Sequence, residues 1–249
     1  MNIETLLRES RDFERQLTAK KKACATPDFP WYPYGTLSNF VHLERLLSGP
    51  HRDLGALIGD RPVADIGGAD GDLAFYLEKH GVPAIDLIDY APTNYNSLRG
   101  ARLLAAQLPS RVAIHEIDLD RYFDWPRTDY GLIFFLGILY HLKNPYYVLE
   151  SLAKVTRHCL LSTRIARYAA DRTTLIRDQS LAYLLAPDEC NNDATNFWIF
   201  SEQGLRRILE RTGWTVLDYL SVGETHKSDP ATAAGDERAF VLVRSRLQT

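Results

Sequence analysis

The sequence predicts an α/β protein, a doubly wound seven-stranded sheet with an antiparallel last strand, preceded by an N-terminal helical extension. Three observations carry this. From Arg61 onward, short apolar strand-like runs alternate with helix-like runs, the pattern of a parallel sheet covered on both faces. A glycine-rich turn, Gly67-Gly68-Ala69-Asp70-Gly71, stands between the first strand and the first helix of that series, where such sheets hold ligands. The last two strand-like runs follow one another with no helix between them, as an antiparallel pair does. The chain of 249 residues has room for a large α/β domain at 59–249 and an extension at 1–58 that caps the active site.

Within the extension, Leu6, Leu7, Phe13 and Leu17 recur at helical spacing among charges, so Met1 to about Lys22 reads as a surface helix. Thr26-Pro27-Asp28-Phe29-Pro30-Trp31-Tyr32-Pro33-Tyr34-Gly35 is too rich in proline for a regular helix. A second helix spans Leu37 to Leu47. In the main domain, strands are expected at Pro62–Ile66, Ala84–Ile88, Arg111–Ile117, Leu132–Leu136 and Cys159–Ser162. Helices are expected at Leu73–His80, Tyr95–Leu108 and Pro145–Arg157. Beyond these, a helix is expected around Thr174–Leu185, and another at Ser201–Thr212 with Ser201 as its N-cap and Gly213 as its stop. The closing strands are Trp214–Val222 and Ala239–Arg244, joined by a flexible polar segment, Gly223–Glu237.

Composition bounds the function. Hydrophobic residues at 45% and charged residues at 24% are ordinary for a globular protein. No apolar run approaches the ~20 residues that span a bilayer, and the charged N-terminus is unlike a signal peptide. Three scattered cysteines argue against a disulfide framework and for a reducing, cytoplasmic setting. A net charge of −3 gives no general attraction to nucleic acid.

The chemistry starts at Asp65. A carboxylate ahead of the glycines would repel phosphate but suits a ligand bearing an ammonium group or hydroxyls, while glycines let backbone amides approach it. Asp65, Gly67, Gly68 and Gly71 are therefore candidate ligand residues. A nicotinamide-binding turn would read G-x-G-x-x-G, and G-G-A-D-G-D lacks its last glycine. Asp89 closes the second strand 24 residues after Asp65, and a carboxylate accepting two hydrogen bonds suits a diol. Asp118 follows the third strand.

In this order and spacing the chain resembles the class I S-adenosylmethionine-dependent methyltransferases, with Rossmann-like fold, from about residue 60 to the C-terminus. Ala69 departs from the family's middle glycine. The resemblance implies S-adenosyl-L-methionine as cofactor, with S-adenosyl-L-homocysteine as product. It implies contacts from Asp65, Gly67, Gly68 and Gly71, a ribose-binding Asp89 with Tyr90 beside it, an adenine-binding Asp118 with Leu119, and Leu136 at the fourth strand. Gly137-Ile138-Leu139-Tyr140-His141-Leu142-Lys143-Asn144-Pro145 and Asn196-Phe197-Trp198-Ile199-Phe200-Ser201 are similar to the tRNA wobble-uridine carboxymethyltransferase branch, whose basic tracts are absent here.

His141, with an ordinary pKa near 6.5, is the candidate general base; the alternative is that it caps or packs the next helix. Tyr140, Asn196 and Trp198 are candidate acceptor-binding residues. Adjacent residues of a regular element point apart, so Tyr140 and His141 are expected to diverge. Trp31, Tyr32 and Tyr34 would form a flap over the cofactor or an anchor for the extension. Asp188, Glu189, Asn191 and Asp193 are read as a solvated loop, and no metal is expected. The expected function is methyl transfer to a hydroxyl or amine of a small molecule. The alternatives are a tRNA-modifying transferase and a non-catalytic cofactor-binding protein. A homodimer is the assembly considered.

Overall fold

The computed structural model describes residues 1–248. The chain divides into two compact units, Met1–Phe134 and the remainder from Phe135.

In the first unit, helix α1 (Ile3–Cys24) starts where the Asn2 side chain accepts from the Glu4 amide at 2.8 Å, satisfying an otherwise orphaned helix donor. Its buried residues Ile3, Leu6, Ser10, Phe13 and Leu17 form one stripe. That stripe lies against Tyr76, whose hydroxyl donates to the Leu6 carbonyl at 2.6 Å and whose ring centre is 5.2 Å from that of Phe13. Helix α2 (Asn39–Leu46) brings Phe40 to the same tyrosine at 5.4 Å. After α3 (Leu54–Ile58), strands β1 (Val63–Ile66), β2 (Ile85–Asp89) and β3 (Ala113–Glu116) alternate with α4 (Asp72–Lys79) and α5 (Arg99–Gln107). Strand β4 (Tyr130–Leu136) follows. Their order is β3-β2-β1-β4, all parallel, with Asp65 opposite Leu87 on one side and Phe134 on the other. β1 is buried throughout, as a strand covered on both faces must be.

The second unit holds α6 (Pro145–Ala153), β5 (Thr156–Ala166), β6 (Ala182–Leu184), β7 (Trp198–Ser201), α7 (Glu202–Arg211), β8 (Trp214–Gly223) and β9 (Glu237–Ser245). β9 runs antiparallel to both β5 and β8, so the expected antiparallel last strand is present. Ser201 caps α7 through the Gly204 amide at 2.9 Å, as its type and position predict.

Three expectations are corrected here. No helix covers Thr174–Leu185. The Asp171 carboxylate instead takes the amides of Thr173 and Thr174, both at 2.8 Å, a local turn that competes with helix initiation. Residues 182–184 then pair antiparallel with β7. Among the described residues nine strands stand where seven are expected, because β6 lies within the expected helix and β7 in a stretch for which no strand is expected. The helix expected to reach Arg157 stops at Ala153, and β5 begins at Thr156 and runs eleven residues, since Val155, Thr156, Thr163 and Ile165 favour extended backbone.

Candidate active site

In the first unit the glycine turn sits at the carboxyl end of β1. Gly68 is there because a Cβ would stand 2.7 Å from the Asp65 Oδ2. Gly71 caps α4 at φ +85°, and a side chain there would meet Leu87 and Phe75 at 2.8 Å. Ala69 adopts φ +53°, a left-handed conformation that costs an L-residue roughly 1–2 kcal/mol. The departure from the glycine pattern therefore keeps the loop's shape at some strain.

Asp65 is 4% exposed. The Ala74 backbone hydrogen-bonds its carboxylate, but Oδ2 has no partner among the described residues. Burial, reinforced by the charge of Asp89, pushes its pKa up to about 7. Such an oxygen is costly to leave unpaired, and an ammonium group placed there would pair it.

Asp89 is fastened by three donors: the Ala69 amide at 3.1 Å, the Tyr90 amide at 2.7 Å and Asn94 Nδ2 at 2.9 Å. A carboxylate offers about four acceptor positions, so Asp89 holds the loop as well as facing a ligand. Burial raises its pKa against those hydrogen bonds. Asp118 lies one residue past Ile117, whose amide donates to the Asp89 carbonyl at 3.0 Å. Part of its carboxylate is taken by Arg121 at 3.1 Å. Leu119 beside it is buried.

The extension reaches this loop directly. The Tyr32 amide donates to Asp70 Oδ2 at 2.9 Å, and Asn96 Nδ2 donates to Asp70 Oδ1 at 2.7 Å. Lys21 Nζ lies 3.3 Å from Asp70 and 2.9 Å from Asp72. Tyr34 is 72% exposed, its ring 5.5 Å from that of Tyr32, which stands 6.3 Å from Tyr95. Asp70, Asn94, Asn96 and Lys21 were not singled out from sequence. For Asp70, Asn96 and Lys21 the signal was hidden, since each acts through a partner many residues away, while Asn94 pairs with Asp89 five residues back in no motif that marks it.

In the second unit Leu136 ends β4, and a single 3₁₀ turn covers Leu139–His141. Tyr140 and His141 do not diverge as expected; their ring centres are 4.2 Å apart, because the tight turn brings neighbouring side chains together. His141 Nδ1 lies 3.1 Å from both the carbonyl and the hydroxyl oxygen of Thr195. Burial lowers its pKa, opposed by the Thr195 hydrogen bond and the charge of Asp193, so the ring is neutral near pH 7. The Arg238 guanidinium faces Tyr140, 5.7 Å from its ring centre. The Phe197 amide donates to the Tyr140 carbonyl at 2.8 Å, placing the 196–198 segment beside that turn. Asn196 is buried, with Nδ2 on Asn191 at 2.7 Å and Oδ1 unpartnered among the described residues. Trp198 donates its indole N–H to the Lys143 carbonyl at 3.2 Å. In the acidic loop, Glu189 accepts from the Tyr183 hydroxyl at 2.7 Å and Asp193 from the Thr195 hydroxyl at 2.6 Å.

A parallel sheet with an acid-led glycine loop after its first strand and an antiparallel pair at the end of the chain defines an α/β fold built to hold a nucleotide-like cofactor. The chain belongs to the methyltransferase-domain family, matched over residues 41–219. That membership implies S-adenosylmethionine as the cofactor. Three solved structures share the fold. One is the N-terminal domain of EvdMO1, crystallised with S-adenosylhomocysteine and D-fucose, at 15% identity, 95% of this chain, 97% of that one and a TM-score of 0.59. Another is the [4+2]-cyclase SpnF, at 12% identity, 96% of each chain and a TM-score of 0.59. The third is an S-adenosylmethionine-dependent methyltransferase of Mesorhizobium loti, at 14% identity, 83% of this chain, 97% of that one and a TM-score of 0.54. No curated protein matches the sequence.

Proposed function

We propose that this chain transfers a methyl group from S-adenosylmethionine to a hydroxyl or amine of a small molecule. The observation that carries the reading is the buried, half-partnered Asp65 carboxylate behind a glycine turn, a cradle for a cationic amino group that phosphate would not enter. Gly67, Gly68 and Gly71 keep the turn open to the ligand. Asp89, with the Tyr90 amide beside it, binds the ribose hydroxyls, sharing its oxygens with Ala69 and Asn94. Asp118 accepts from the adenine amino group, and Leu119 and Leu136 supply apolar contact. Tyr34, with Tyr32, covers the ligand from the extension, residues 1–58, which acts as a cap on the domain at 59–249. The bound cofactor supplies an electrophilic methyl carbon on a sulfonium.

Transfer to a hydroxyl or ammonium acceptor also needs its proton removed. His141, neutral near pH 7, takes that proton on Nε2. Asn196 Oδ1 accepts a hydrogen bond from the acceptor molecule, and Tyr140 and Trp198 line its binding surface. Crystallisation of the EvdMO1 domain in the presence of D-fucose supports a small hydroxylated acceptor. The same fold in a [4+2]-cyclase makes turnover, rather than fold, the deciding measurement. A tRNA-modifying reading is favoured only by the likeness of residues 137–145 and 196–201 to the wobble-uridine branch, against a net charge of −3.

Titration calorimetry with S-adenosylhomocysteine tests the cofactor half. Asp89→Ala should weaken binding by about 1.5–3 kcal/mol, some ten- to hundredfold in Kd. Unchanged affinity would remove Asp89 from the site. Incubation with S-adenosylmethionine and panels of sugars and amines, followed by S-adenosylhomocysteine release, tests the acceptor half, with His141→Ala expected to be slow while binding the cofactor normally. Salt-sensitive binding of tRNA, with no turnover on small molecules, would favour the second reading.

A further inference from the structure

Thr195 presents two oxygens to His141 Nδ1, its carbonyl and its hydroxyl, each at 3.1 Å. A carbonyl only accepts. The hydroxyl proton is already committed, because Thr195 Oγ1 donates to Asp193 Oδ1 at 2.6 Å. Both oxygens therefore act as acceptors toward the ring, and a neutral His141 must carry its proton on Nδ1. The lone pair is left on Nε2. Asp193 is held in turn by the Thr195 amide, which donates to the same Oδ1 at 2.9 Å. Its carbonyl accepts from the Asn196 amide at 3.0 Å, so the arrangement is a fixed turn and not a chance rotamer.

We infer that Asp193, acting through the Thr195 hydroxyl, is a positioning residue that fixes the tautomer of His141 and makes Nε2 the stronger proton acceptor. The inference rests on the reading of His141 as the base. The charge on Asp193 stabilises the imidazolium formed when Nε2 takes a proton, while the hydroxyl transmits the orientation. The groups facing the ring are Asp193 and Thr195 from the loop, Tyr140 from its own turn, its ring centre 4.2 Å away and tilted by 43°, and Arg238 from β9, whose charge opposes protonation. No proton moves between Asp193 and Thr195 in this scheme. The acid stays ionised, consistent with the Thr195 hydrogen bonds that hold its pKa low against burial.

Histidine side-chain ¹⁵N NMR on the full-length protein reads this without any acceptor, using His141→Ala to assign the resonance. Wild type is expected to show the Nδ1–H tautomer at high pH. Asp193→Asn keeps an accepting oxygen in the turn and removes only the charge; it should lower the His141 pKa by about half a unit to one unit. Thr195→Val should lower it too, and Thr195→Ser should restore it. An Nε2–H tautomer in wild type, or a His141 titration unmoved by both Asp193→Asn and Thr195→Val, would overturn the inference. These outcomes are separable from failure of the base assignment, which shows as full turnover by His141→Ala with the NMR behaviour intact.

Discussion

The Asp65 carboxyl is held near pKa 7 by burial and by the Asp89 charge, about three units above the 3.8 of an exposed aspartate. Below pH 4 both folded and unfolded states carry the proton, and the group has no effect on stability. As pH rises through 4 to 7 the unfolded chain releases it while the folded chain keeps it, so stability falls across that window by on the order of 4 kcal/mol. Asp65→Asn should abolish this part of the slope, and the free variant should be more stable than wild type at pH 8 in urea denaturation. The same variant should bind S-adenosylhomocysteine more weakly, because its oxygen no longer pairs a cation with charge. A variant with an unaltered slope would show that Asp65 titrates normally. Ala69 argues the other way round, since its strain lies in the backbone. Ala69→Gly should be neutral or stabilising by up to about 1 kcal/mol, whereas Ala69→Val, β-branched at φ +53°, should cost about 1–3 kcal/mol. Equal midpoints for the two would mean the turn relaxes freely.

At the scale of elements, the two carboxylates that open α4 are balanced by one lysine from α1. Asp70 is 2% exposed and Asp72 7%, and Lys21 touches both. Burial raises the pKa of Asp72 even with Lys21 lowering it. Removing one partner of a buried ion pair costs about 3–5 kcal/mol. Lys21→Met should therefore loosen the end of α1 and the segment after it. Limited proteolysis at residues 26–35 and hydrogen exchange of the Tyr32 amide should both accelerate; unchanged protection would assign the attachment to the Tyr76 packing alone. This cross-element pairing also shows where sequence reading stops. α1, α4, β1, β2 and the Ser201 cap were legible because periodicity and capping are written within a dozen residues. Lys21 reads as part of a solvated basic run, Lys20-Lys21-Lys22, until a partner 49 residues away is seen. β6 was missed for a similar reason. Its apolar residues match a helix as well as a strand, and only the pairing with β7 and the Asp171 turn decide against the helix.

For the whole molecule, the residues proposed to hold the methyl donor, apart from Leu136, come from the first compact unit, and those proposed to handle the acceptor come from the second. The residues proposed for the donor, Asp65, Gly68 and Asp89, could be named from sequence because a cofactor common to many proteins imposes fixed spacing. On the acceptor side Tyr140 and His141 were named from sequence, whereas Thr195 and Arg238 were not, since turns and strand pairings that no short motif encodes bring them to that turn. This asymmetry makes cofactor linkage the broadest available test. A ligand that binds only the folded state stabilises it by RT ln(1 + [L]/Kd), about 2.7 kcal/mol at a hundredfold excess over Kd. For a chain of this size that amounts to roughly 5–10 °C in melting temperature. S-adenosylhomocysteine should raise the melting temperature by that amount, with adenosine alone giving a smaller rise because it leaves Asp65 unpaired. Asp89→Ala should show a reduced shift at the same ligand concentration, and Asp65→Asn should narrow the gap between the two ligands. Equal shifts with adenosine and S-adenosylhomocysteine in wild type would mean that the amino-acid end of the ligand makes no net favourable contact, removing Asp65 from the binding site while leaving Asp89 in place.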